Sequence, residues 1–190
     1  MISLVSLALM LQAAGPAPAP PREVTRHYWA ALKTTDVWVR VVPESRDGNP
    51  APVDFIVKAF FPGRAVRDMY TGQPEWPKGT PAGLVLIVQA APLAFFKGLS
   101  LQLVIDGGRL DMTGRDSRYR NIPCLVGDNA CTPNGVEVEL DPAILRALIS
   151  ASTVEGEALG FSIRLTPADQ VALADLATRI NLSKPAGQTR

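Results

Sequence analysis

Histidine is almost missing from this chain: His27 is the only one among 190 residues. A lone histidine rules out a histidine-rich metal site, and without an evident partner it makes a poor general base. A surface role beside Tyr28 and Trp29, helping to tie the N-terminus to the domain, fits it better. The familiar catalytic signatures are missing too. There is no Gly-x-Ser-x-Gly elbow, no Ser-x-x-Lys, no Walker loop and no dinucleotide-binding glycine pattern. Gly107-Gly108 reads as a turn rather than a phosphate cradle. Asp106, Asp111 and Asp116 recur around glycines, but EF-hand order is absent and Arg109 and Arg115 interrupt the acids. No metal and no cofactor are therefore expected. Charge of one sign is lacking as well: 19 basic and 18 acidic residues leave a net charge of +1. No global field exists to draw in nucleic acid or an anionic membrane. No apolar run approaches the ~20 residues of a membrane-spanning helix.

What is present begins at the N-terminus. Met1 to Leu11, MISLVSLALML, is apolar apart from two serines and holds no charged side chain. Small residues follow, as a leader peptidase requires. Residues 1–14 read as a signal peptide, 15–21 (GPAPAPP) as a stiff Pro/Ala-rich spacer, 22–182 as a single globular domain and 183–190 as a fraying tail. The expected location is periplasmic or secreted, with no transmembrane span after cleavage. That compartment governs how Cys124 and Cys131, the only cysteines, are read. An isolated pair so close together in an oxidising compartment reads as a disulfide closing the loop LVGDNA, worth roughly 2–3 kcal/mol by loop entropy.

Along the domain, REVTRHYWAALKTTD has no clear period and reads as a short helix or an extended lead-in. DVWVRVV (36–42) alternates, with Val37, Val39 and Val41 on one face. VDFIVKAFF (53–61), LVLIVQ (84–89) and LSLQLVI (99–105) follow as strands, and Asp106-Gly107-Gly108 turns the last of these into a hairpin partner at 109–112. VEVEL (136–140) is a short strand. Asp141-Pro142 then starts a helix, with Ile144, Leu145, Leu148 and Ile149 on one face. ALGFSIRL (158–165) reads as one further strand. Thr166-Pro167 with Asp169 starts the last helix, with Val171, Leu173, Leu176 and Ile180 facing the core. The fold class is mainly β (α+β): an antiparallel, sandwich-like sheet arrangement with two C-terminal helices.

Two surfaces stand out. Arg109 and the stretch RDSRYRN gather Arg115, Arg118, Tyr119 and Arg120, a set able to grip a carboxylate or phosphate by forked hydrogen bonds. The competing reading is a charged hairpin rim balanced by Asp111, Asp116 and Asp128. Tyr70 and Trp76, among prolines, form the second surface, suited to anchoring a protein partner or capping the sheet core.

The C-terminal third, through CLVGDNAC (124–131), VEVELDPAILRALISAS (136–152) and FSIRLTPADQVALADL (161–176), resembles the invasion-associated locus B family of exported bacterial proteins. That resemblance implies an envelope location and non-enzymatic interaction, and it carries no catalytic residue. The leading expectation is an exported, non-enzymatic binding protein whose partner is an envelope protein or a small anionic ligand. The alternatives are a secreted hydrolase whose carboxylates, such as Asp106 and Asp111, meet only in the fold, and a small enzyme inhibitor presenting the 124–131 loop.

Overall fold

The computed structural model describes residues 22–63, 75–90, 98, 100–112, the backbone of 118–120, and 135–182. Among the described residues ten strands form two antiparallel sheets, and two helices lie in the C-terminal part, with the last two strands between them. The larger sheet runs in the order β1 (Thr25–Trp29), β2 (Thr34–Val41), β3 (Val53–Pro62), β4 (Gly83–Ala90), β8 (Gly135–Glu139), β7 (Arg118–Arg120). The smaller runs β10 (Phe161–Arg164), β9 (Val154–Ala158), β5 (Leu101–Ile105), β6 (Gly108–Asp111). Helix α1 is Pro142–Ser150 and α2 is Pro167–Arg179.

Period-2 patterning decides which way each strand faces. In β2, Val37, Val39 and Val41 are buried, and in β3 Val53, Phe55, Val57, Ala59 and Phe61 join them. β4 is buried along most of its length, as its unbroken apolar run requires. From the small sheet, Leu101, Leu103, Val154, Ala158 and Ile163 enter the same hydrophobic cluster. The two sheets are therefore joined through one core rather than two. A second link is polar: Glu44 and Arg164 exchange backbone hydrogen bonds of 2.9 and 2.7 Å, docking the 44–50 turn of the large sheet against the edge of β10.

Both helices start where their caps dictate. Asp141 accepts a hydrogen bond from the Ala143 amide at 2.6 Å, with Pro142 opening α1. Thr166 and Asp169 form a reciprocal capping box on α2, which packs on α1 and β2. Leu145 and Leu148 are buried on α1; Ile144 and Ile149 pack against the core edge.

The structure departs from the sequence pattern at several places. Of the two readings of the lead-in 22–36 the structure takes the extended one and not the helix: the segment holds β1, the turn after it and the start of β2. Residues 158–165 are not one strand: the chain reverses at Leu159 and Gly160, with φ of 54° and 81°, so that β9 and β10 form a hairpin. Val171 is 70% exposed, and Ala172 and Ala177 take the buried positions beside Leu173 and Leu176. The stretch 118–120 is an edge strand against β8. Cys124, Cys131 and the loop between them lie outside the described residues.

Candidate functional site

The small sheet carries the groove. Its open face is built from two cross-strand rows set by register. One row holds Arg164, Glu155, Val104 and Arg109; the next holds Ser162, Glu157, Gln102 and Asp111. Residues two apart on a strand share a face, so these side chains all stand opposite the buried Leu101, Leu103 and Ile163. Arg46, on the turn docked against β10, closes one end. The result is a groove of about 350 Å³ lined by Arg46, Gln102, Val104, Arg109, Glu155, Glu157 and Arg164, with Gly156 in its floor.

Gly156 is required there. A Cβ on it would fall inside contact distance of the Gln102 carbonyl oxygen and 3.0 Å from the Leu103 Cα. The close approach of β9 to β5 brings the glutamates and arginines of the two strands onto one short face.

Charge alternates across the groove. Arg109 donates to the Gln102 Oε1, a neutral partner, and keeps its formal charge available. Arg164 pairs with Glu44 at 2.8 Å, and Ser100 donates to Glu157 at 3.2 Å. Arg46 has no side-chain partner among the described residues. Its turn is fixed by Asp47, whose carboxylate accepts from the Ser45 hydroxyl and from the side chain and backbone of Asn49. The Ser45 hydroxyl above all, then Asn49, pulls the Asp47 pKa down to about 2. Guanidiniums thus stand at both ends of the groove with two carboxylates between them, a pattern that grips a partner of mixed charge through forked hydrogen bonds.

The sequence-predicted residues are distributed as follows. Arg109 lines the groove. Arg118, Tyr119 and Arg120 lie on β7, the edge of the large sheet, paired with Glu137, Val136 and Gly135, whereas Arg109 is on the edge of the small one. Arg115 and Tyr70 lie outside the described residues, as does Asp116. Trp76 is half-buried against the core and two guanidiniums lie over its ring, Arg26 at 4.6 Å and Arg179 at 4.4 Å from the ring centre. Burial first, and then Arg179, lowers the pKa of Arg26. Asp106 is occupied by structure: in the left-handed region at φ 47°, it accepts from the Ser152 and Thr153 amides at 2.8 and 2.9 Å. Asp111 stands at the far end of β6, so these two acids do not share a cleft. His27 is exposed and meets Trp29 edge-on, with ring centres 4.5 Å apart. Among the described residues no group of three or more His, Cys, Asp or Glu is placed to hold a metal ion.

Sequence reasoning missed Arg46, Glu155, Glu157 and Arg164. Each sits on a different turn or strand from Arg109, and no local motif joins them. Compared with protein-family models, curated proteins and solved structures, the chain has no match. Among the described residues no helix is long and apolar enough to cross a membrane.

Proposed function

We propose that this chain is an exported, non-enzymatic binding protein of the bacterial cell envelope, and that its groove on the small sheet receives a carboxylate-bearing segment of another envelope protein. The leader, the spacer and the C-terminal resemblance in the sequence support the location. One observation carries the binding reading: Arg46 and Arg109 flank a groove without a carboxylate partner on either guanidinium among the described residues. Glu155 and Glu157 on the floor favour a mixed-charge protein segment over a small inorganic anion, which like charge would repel.

The test is recovery of partners from the host envelope with tagged protein, comparing the unaltered chain with Arg46→Glu and Arg109→Glu. A recurrent partner lost in both variants, at unchanged melting temperature, supports the groove. Equal recovery by all three proteins removes it.

A second reading has its own observation. Glu155 and Glu157 project from the same strand face and both line the groove, and paired carboxylates can run acid–base hydrolysis. Turnover of a substrate that vanishes in Glu155→Gln while partner binding persists would favour the hydrolase.

A further inference from the structure

The turn between β1 and β2 breaks the usual chemistry of turns. Exposed reversals use Gly, Asn, Asp and Pro, but this one reads Trp29-Ala30-Ala31-Leu32-Lys33. Four consecutive apolar residues point into solvent, with Leu32 70% and Trp29 45% exposed. A run of that kind on a surface has no part in the core and signals use elsewhere. The turn does not need these side chains to form. Its shape comes from backbone bonds, Leu32 N–H to Trp29 C=O at 3.2 Å and Lys33 N–H to Ala30 C=O at 3.4 Å. It is braced by the Gly63 amide donating to the Lys33 carbonyl at 2.7 Å and by the Thr35 hydroxyl donating to the Gly63 carbonyl at 2.9 Å.

The chemistry of the tip limits what it can dock on. Ala30, Ala31 and Leu32 carry no polar side-chain atom. The one donor on Trp29, its indole N–H, is taken by Asp36 at 2.7 Å. Asp36 is itself neutralised by Lys58 at 2.5 Å. Lys33 is the only charged side chain from Trp29 to Thr35. The tip therefore presents a convex apolar wedge with one cation, and Lys33 carries the one side-chain donor of residues 29–33 that is not already taken within the fold. A tryptophan at the base of an apolar wedge, with a lysine beside it, matches the boundary between acyl chains and anionic headgroups.

We propose that the 29–33 tip is a membrane-contact element that inserts Leu32 and the Trp29 ring into an anionic lipid surface, with Lys33 at the level of the phosphates. The near-zero net charge of the chain does not oppose this, because insertion is driven by local apolar burial and not by a long-range field. The element is separate from the groove, and neither reading depends on the other.

The experiment is co-sedimentation of the full chain with vesicles of phosphatidylglycerol and, separately, of phosphatidylcholine. Leu32→Asp and Lys33→Glu are compared with the unaltered protein. The apolar stretch at residues 1–11 is common to every protein compared, so it cannot produce a difference between them. The expected result is binding to phosphatidylglycerol that falls about tenfold or more in Leu32→Asp. Lys33→Glu is expected to weaken binding to phosphatidylglycerol but not to phosphatidylcholine. Both variants should melt with the unaltered protein, since neither side chain enters the core. Equal sedimentation of Leu32→Asp and the unaltered chain would overturn the proposal, as would failure of the unaltered chain to bind either vesicle. A photocrosslinker at position 32 that captures one envelope protein, in a chain that ignores vesicles, would assign the tip to a protein partner instead.

Discussion

Asp169 has no exposure at all, and the fold tolerates its charge only because every neighbour answers it. The Arg22 guanidinium donates to one oxygen at 2.6 Å, and the Thr166 amide and hydroxyl donate to the other at 2.8 Å each. Removing a buried carboxylate from such a set leaves donors unpaired, so Asp169→Ala is expected to destabilise the domain by about 2–4 kcal/mol in chemical denaturation. It should also release Arg22 and with it the lead into β1. Gly156 acts by absence of a side chain. Gly156→Ala drives a methyl group into the backbone of β5, with an expected loss near the top of the overpacking range, about 3 kcal/mol. Asp47 makes a pH prediction. Its folded pKa lies below the ordinary value of 3.8, so the unfolded chain binds the extra proton first as pH falls. Its contribution is full above about pH 4 and is lost as pH drops through about 2. A carboxyl titration followed by NMR should place the midpoint near 2, moving up in Ser45→Ala.

At the scale of the element, patterning and capping made much of the fold legible. The alternation of Val37, Val39 and Val41 and the unbroken run of β4 told their faces. Asp141-Pro142 and the Thr166-to-Asp169 box told where each helix begins. The β9–β10 hairpin was not legible because its turn places Leu159, a residue that sterics disfavour there, at φ 54°; only Gly160 beside it is a turn former. β1 was ambiguous for a related reason: its burial pattern alternates only weakly at a sheet edge, and its turn is apolar. That strand is tied to α2 through the Trp76 ring, which both Arg26 of β1 and Arg179 of α2 contact. Trp76→Ala removes the ring that both guanidiniums contact and leaves their mutual repulsion unanswered. A loss of about 2–3 kcal/mol is expected, with Trp76→Phe recovering part of it, as thermal melts would show. Hydrogen exchange should report the Trp76→Ala loss first in the amides of β1.

For the whole molecule, the groove exists because two sheets share one core and a turn from one reaches the edge of the other. Arg46 arrives from the large sheet, Arg109 and Arg164 from opposite edges of the small one, and Glu155 and Glu157 from between them. Contacts among residues more than a hundred positions apart, such as Glu44 with Arg164, leave no local trace in the sequence. This is why Arg109 was legible as a candidate while its groove neighbours were not. The same long-range dependence makes the groove a property of the intact fold, and substitutions that part β9 from β5 should abolish binding along with stability. The most direct measurement places a photocrosslinking residue at Val104, on the groove floor, and irradiates cells in which the chain is exported. The expected result is a discrete protein adduct that disappears when Arg46 and Arg109 are both reversed to glutamate. An adduct that survives that reversal, or the absence of any adduct from a folded and exported chain, would contradict the groove as the binding site.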